Sequence, residues 1–128
     1  MLKVVCALIK KNNKVLIARR KTGDEYVLGK WEFPGGKVDL NETDEDAIKR
    51  EIKEELEITL KAKSIIATTT HKYPSKVVEL KLYECDYISG EIKLHDHTDY
   101  AWVSIDDLLS YDLAIADVSL VKNIMNIE

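Results

Sequence analysis

The chain has little of what punctuates or cross-links a fold: two Pro, five Gly and two Cys in 128 residues. Cys6 and Cys85 lie far apart in apolar stretches with no Cys-x-x-Cys spacing. That excludes a disulfide framework and a thiolate zinc site, and it predicts two buried free thiols in a reducing compartment. No run approaches the ~20 apolar residues a membrane span requires. The opening Met1-Leu2-Lys3-Val4-Val5-Cys6 has neither the long apolar run nor the small-residue cleavage site of a secretory leader. A cytoplasmic location is therefore expected. Basic residues are not in surplus, with 19 Lys and Arg against 23 Asp and Glu and a net charge of −4. That balance argues against a broad face for a nucleic-acid polymer. Repeats, low-complexity tracts and linkers are absent too, and the length suits one domain over residues 1–128.

What is present is concentrated. The segment 42–57 holds eight acidic residues against three basic ones, whereas the rest of the chain has 15 acidic and 16 basic. One segment thus carries the whole negative surplus. Four of the seven Gly and Pro residues (Gly29, Pro34, Gly35 and Gly36) fall immediately before it.

Periodicity places these features on elements. The β-branched and apolar runs 2–9 and 14–19, separated by Lys10-Lys11-Asn12-Asn13, predict a hairpin. Residues 20–40 read as loop apart from the triplet Trp31-Glu32-Phe33. A helix is expected from Thr43, with Asp46 three residues on as a capping signature. Strands are predicted over 63–70 and 76–85, joined around Tyr73-Pro74-Ser75, with Val78, Leu80 and Leu82 on the buried face. Shorter strands are expected at 91–94 and 100–103. Ser104 is expected to cap a short helix through Leu109, and Asp117 a last helix with Val118, Val121, Ile124 and Met125 inward. The pattern is α+β: a mixed β-sheet packed between helices.

On the acidic helix, about 100° per residue places Glu51, Glu54 and Glu55 within one arc beside the apolar stripe Ile48, Ile52 and Leu56. A solvated, salt-bridged helix accounts for Glu45 with Lys49 and Asp46 with Arg50. It does not account for three glutamates facing mainly one another in the half where the helix dipole opposes them. A hard divalent cation removes both penalties, since carboxylate oxygens are the ligands Mg2+ selects. Gly35 and Gly36 permit a sharp turn or close approach, Pro34 stiffens it, and Lys37 adds a cation. Loop, lysine and carboxylate helix together suit a phosphate chain. The loop is not a P-loop, because G-x-x-x-x-G-K-[ST] is missing.

Gly36, then Glu42, then Arg50-Glu51-Ile52-Lys53-Glu54-Glu55-Leu56-Glu57-Ile58 resembles the Nudix box, G-x5-E-x7-R-E-U-x-E-E-x-G-U with U apolar. Glu57 stands where the family has Gly. Trp31 to Lys37, Arg19-Arg20, Asp96 before Trp102, and Ala116-Asp117 resemble the MutT-like and CTP-pyrophosphohydrolase-like subgroup. The resemblance implies a Nudix fold, an α/β/α sandwich, and a hydrolase that cleaves phosphoanhydride bonds with Mg2+, or Mn2+ in its place. For that subgroup it implies NTP or dNTP hydrolysis to the monophosphate and pyrophosphate, including removal of oxidised nucleotides such as 8-oxo-dGTP. By the same resemblance, Glu51, Glu54, Glu55, Asp96 and the Gly35 carbonyl would hold metal. Glu51 or Asp96 would activate water, Arg20 and Lys37 would bind phosphates, and Asp117 would face the base. Arg50 and Glu42 would lock loop to helix.

Three alternatives remain at this level. The box also serves dinucleotide polyphosphates or ADP-ribose, and a non-catalytic nucleotide-sensing module would keep the same fold; in each case a monomer or homodimer is expected. Tyr73 lines the nucleotide pocket or merely makes a strand turn, and Phe33 is expected in the core. His95-Asp96-His97 suggests zinc, but no four-ligand shell completes it. At Glu57, where glycine would end the helix in left-handed geometry, either the residue accepts strain or the helix ends differently.

Overall fold

The structure, a computed structural model, describes residues 1–127. Asn12 and Asn13 both take left-handed φ values, 52° and 63°. A two-residue hairpin turn that matches strand twist needs that geometry, and asparagine tolerates it. Strands β1 (Leu2–Lys11) and β2 (Lys14–Arg20) therefore form the expected hairpin. They pair next to the turn, at Lys10 with Val15 and Lys11 with Lys14, and then part. Beyond that point β1 runs parallel to β6 (Lys76–Ser89) and antiparallel to β4 (Gly35–Lys37). On its side, β2 takes β3 (Trp31–Glu32) and β7 (His97–Val103) as antiparallel neighbours. The edge strand β5 (Thr59–Tyr73) pairs antiparallel with β6. The splaying of β1 from β2 opens the sheet where the acidic helix meets it.

Helices cover both faces of this mixed sheet. Alternation along β1 sends Val5, Ala7 and Ile9 to one core, under α1 (Asp44–Leu56) with its buried Ala47, Ile48, Ile52 and Leu56. Cys6 and Leu8 point the other way, into a core shared with Ala116, Leu120 and Val121 of α2 (Ile115–Ile124). Leu108, from the 3-10 helix Ile105–Ser110, joins that second core. Each large apolar side chain so buried contributes about 1.5–3 kcal/mol relative to exposure. Phe33 is buried, and Val78, Leu80 and Leu82 form the inward face of β6, as expected. Cys6 and Cys85 are free and buried. No helix among the described residues is long and apolar enough to cross a membrane.

The ends of α1 follow its sequence. Thr43 Oγ1 accepts from the Asp46 amide at 3.1 Å, satisfying one of the unpaired donors of the first turn. At the other end Glu57 takes φ 58° and ψ 28°, and its amide donates to the Lys53 carbonyl. The helix ends as glycine would end it, and Glu57 accepts the left-handed geometry.

Several expectations are corrected. Residues 91–94 are not a strand; the Lys93 amide donates to the Leu56 carbonyl at 3.0 Å, so the segment closes the α1 C-terminus. Gly35 and Gly36 do not turn; they form β4. Asp117 does not cap α2, whose N-cap is Ala114; it lies in the first turn and is buried. Ser104 sits at its cap position, but its hydroxyl donates to Asp107 Oδ2 at 2.9 Å instead of accepting a backbone amide. Tyr73 belongs to the end of β5, not to the turn. The pairs Glu45–Lys49 and Asp46–Arg50 do not form among the described residues; in the second, Arg50 is claimed by a fork on Glu42. Two parallel charged hydrogen bonds outweigh an exposed i,i+4 pair.

Candidate active site

The two glycines of β4 serve close approach. A side chain on Gly35 would run into the Val5 carbonyl, and one on Gly36 into the Glu51 carboxylate. Glu51, projecting from α1, thus lies directly against the backbone of β4. Arg50 fixes it there, with Nη1 donating to Glu51 Oε1 at 2.8 Å. The same guanidinium donates from Nε to Glu42 Oε2 at 2.8 Å and from Nη2 to Glu42 Oε1 at 2.9 Å. Its Nη2 also reaches the Lys37 carbonyl at 3.0 Å. These contacts hold the Glu42 carboxyl down at about 2, mainly through the Arg50 hydrogen bonds. Arg50 and Glu42 lock loop to helix, as the sequence suggested.

A cavity of about 540 Å3 opens over this junction. It brings together Arg20, Gly35, Lys37, Glu51, Glu55, Tyr73 and Asp117, from five separate stretches of chain. Two residues of the expected set stand outside the lining. Glu54 is largely exposed, its Oε2 3.4 Å from Arg50 Nη1. Asp96 is exposed on the segment before β7, yet its charge is felt at Glu55.

Glu55 is the electrostatic centre of the carboxylate set. Burial first, and then the charges of Glu32, Glu51 and Asp96, push its carboxyl up to about 8. Its Oε2 is buried with no hydrogen-bond partner. Among the described residues no three His, Cys, Asp or Glu side chains are already gathered into a metal cage. The donor set nevertheless fits a hard cation: an orphaned carboxylate oxygen, with further carboxylates near enough to raise its pKa. A divalent ion would neutralise that repulsion and satisfy the orphaned oxygen.

The cavity lining is also apolar in part, with Val4, Phe33, Val78 and Leu80, and it includes Asp117. Asp117 Oδ2 accepts from the Phe33 amide at 2.8 Å. Burial, reinforced by the Glu32 charge, raises the Asp117 carboxyl well above its usual range and favours its neutral form. Tyr73, also in the lining, stands edge-on to Tyr26 with ring centroids 5.5 Å apart. Cys6 also lines the cavity, but burial raises its thiol and leaves it no nucleophile.

Sequence reasoning passed over two residues here. Glu32 lies in the cavity lining and acts on Glu55, Asp117 and Tyr73 alike. Its place beside the Pro-Gly-Gly run was the available signal. His97 was weighed only as a zinc ligand with His95, and the structure sends the two rings apart. His95 is exposed, with Nε2 2.5 Å from Glu57 Oε2, whereas His97 is buried against Glu32.

The chain is similar to known proteins over nearly its whole length. The model of a family described as NUDIX domain matches residues 1–124. The chain is 32% identical to a CTP pyrophosphohydrolase of Escherichia coli K12, over 98% of this chain and 92% of that protein. It is 26% identical to an 8-oxo-dGTP diphosphatase of the same strain, over 96% and 95% of the two chains. The crystal structure of a MutT protein from Methanosarcina mazei superposes with a TM-score of 0.87 at 27% identity, covering 98% of this chain and 93% of that one.

Proposed function

The chain belongs to the NUDIX family of hydrolases, and from that premise we propose that it hydrolyses a nucleoside triphosphate to the monophosphate and pyrophosphate with Mg2+. The observation that carries the reading is the pairing of two unlike chemistries in one cavity. Its lining combines carboxylates, among them Glu55 with its orphaned oxygen, with an apolar set that includes a single buried acid, Asp117. A triphosphate joined to a heterocyclic base presents a matching pair.

In this reading Glu51, Glu54, Glu55, Asp96 and the Gly35 carbonyl hold the divalent ions. Bound Mg2+ supplies Lewis-acid polarisation of the phosphoryl oxygens and lowers the pKa of water. Arg50 keeps Glu51 in place through Oε1, leaving Oε2 without an arginine contact and open to a cation. Arg20 and Lys37 bind the phosphate oxygens and stabilise the charge that builds on the leaving pyrophosphate. Water adds to phosphorus as the phosphoanhydride bond breaks, and its proton passes to a carboxylate oxygen of Glu51 or Asp96. Tyr73 and Phe33 bound the base, which Asp117 addresses through its oxygen not taken by the Phe33 amide.

A neutral Asp117 carboxyl supplies an O–H donor, which suits the ring-nitrogen acceptor of an aminopyrimidine. A guanine edge presents N–H groups and calls for the charged form. We therefore place CTP or dCTP, in native or oxidised form, ahead of 8-oxo-dGTP. The test is a panel of NTPs, dNTPs, 8-oxo-dGTP, ADP-ribose and dinucleotide polyphosphates with Mg2+, with products identified and ranked by kcat/KM. The expected outcome is pyrophosphate and CMP or dCMP as the leading products. Release of no pyrophosphate from any triphosphate overturns the reading, and fastest cleavage of ADP-ribose or a dinucleotide replaces it.

A further inference from the structure

A buried histidine with one nitrogen unused stands directly behind the candidate phosphate-binding arginine. The His97 side chain is 2% exposed, and its Nε2 lies 2.9 Å from Glu32 Oε2. A carboxylate only accepts, so Nε2 carries the hydrogen of this bond. Nδ1 is buried without a partner. An aromatic or aliphatic side chain would fill this site without leaving a polar atom unsatisfied. What histidine adds is its bond to Glu32. The other oxygen of Glu32, Oε1, lies 3.5 Å from Arg20 Nη1. Arg20 is further held by its Nε, which donates to the Thr22 carbonyl at 3.0 Å.

The backbone arranges the same three residues. Glu32, Arg20 and His97 sit on the adjacent strands β3, β2 and β7, with Ala18 opposite Glu32 and Arg20 opposite His97. A register shift in the β2–β7 pairing falls between Arg19 and Arg20. Such irregularities re-aim a side chain at the end of a ladder. Here the re-aimed side chain is the one that lines the cavity.

We propose that His97 is a positioning residue for phosphate binding: by holding one oxygen of Glu32, it keeps the Arg20 guanidinium directed into the cavity with donors free for a phosphate chain. Released from His97, Glu32 would offer both oxygens to Arg20 in a bidentate fork, the preferred geometry of that pair. The fork would consume the donors that substrate needs. The proposal rests on the phosphate-binding role given to Arg20 above.

The test uses the full-length protein and four variants. His97→Phe fills the site without an N–H, and His97→Gln keeps an N–H near the position of Nε2. Glu32→Gln keeps the volume of Glu32 but turns an N–H toward Arg20, and Arg20→Met removes the guanidinium. Two measurements are made: kcat and KM for the best triphosphate with Mg2+, and the affinity for inorganic tripolyphosphate by calorimetry. His97→Phe and Glu32→Gln are each expected to raise KM and to weaken tripolyphosphate binding by about tenfold, with kcat nearly unchanged. His97→Gln recovers most of the loss. In the Arg20→Met background, His97→Phe has no further effect on either measurement. A lower Tm for His97→Phe with KM and tripolyphosphate affinity unchanged overturns the proposal, as do losses that multiply with those of Arg20→Met. If His97→Phe does not fold, Glu32→Gln decides by the same two measurements. Should the wild type cleave no triphosphate, the function proposed above fails, and the tripolyphosphate arm still decides the role of His97.

Discussion

The cavity lining holds two acids whose carboxyls are displaced upward, half-buried Glu55 and buried Asp117, and their surroundings differ. Glu55 has three acidic neighbours acting on it and an oxygen with no partner. Asp117 has an apolar wall around it, a backbone amide on Oδ2, and Glu32 as the main charge acting against it. Burial leads in both cases, so displacement alone does not separate them. Satisfaction of the oxygens does. An acid left unsatisfied among other acids is matched to a cation, whereas a satisfied acid in an apolar wall is matched to a neutral hydrogen-bonding ring. Arg20, Lys37 and Tyr73 share the cavity lining with both acids.

The largest effects should come from neutralising the carboxylate set. Glu51→Gln and Glu55→Gln are each expected to lower kcat/KM by about 10^3-fold in the Mg2+-dependent assay. Mn2+ affinity, read by EPR, should fall with them. Because Glu55 is pushed up by its surroundings, Glu55→Gln should also raise Tm in EDTA, where no cation offsets the repulsion. Unchanged turnover in Glu51→Gln would remove that residue from the mechanism. Next in size is Gly36→Ala. The added methyl displaces the Glu51 carboxylate, for an expected loss of about 10^2-fold in kcat/KM. Full activity would mean that the contact between β4 and Glu51 is not needed.

At Asp117 the effects are smaller and turn on protonation. Asparagine imitates a neutral Asp117, since its carbonyl can accept from Phe33 while its amide donates toward the base. Asp117→Asn should therefore hold kcat/KM for CTP within about threefold, a change under 1 kcal/mol. A charged Asp117 in the working enzyme would show as a far larger loss. The pH dependence of stability supplies a second check. The folded protein binds the Asp117 proton more tightly than the unfolded chain does. Its contribution is complete below the ordinary carboxyl pKa and is lost as pH rises toward the displaced value. Urea midpoints of wild type should decline over that range, and those of Asp117→Asn should decline less.

How much of this could be read from sequence depended on how local each feature is. That Glu51 and Glu55 reach one cavity was legible because helical period alone brings them to one face, whereas Glu54, expected with them, stands exposed outside the lining. The Thr43 cap followed from a motif three residues long. Strand β4 was not legible, because two glycines have little strand preference and pair only where β1 and α1 press on them. Residues 91–94 alternate like a strand, but their backbone is claimed by the open end of α1. The bond from His97 to Glu32 spans 65 residues and depends on a register shift beside Arg20, which no window along the chain contains. Asp117 was expected both at the site and as a cap; it lines the cavity, but Ala114 holds the cap position. The same short acid serves both purposes, and only the position of Ala114 distinguishes them.

The smallest expected effect lies outside the cavity, at the residue where this chain departs from the Nudix box. Glu57 holds a conformation that glycine adopts without steric cost, so Glu57→Gly relieves the backbone. It also deletes the contact with His95, between two side chains that are each about half exposed. Exposed ion pairs contribute little once solvent screens them. The backbone gain should win, raising Tm by about 3 °C at neutral pH. Turnover should change little, because Lys93 still ties the segment before Asp96 to the Leu56 carbonyl. A fall in Tm would instead mean that the His95 contact outweighs the left-handed strain. The glutamate would then be holding the segment that carries Asp96, and the carboxylate set of the site would extend beyond the cavity wall.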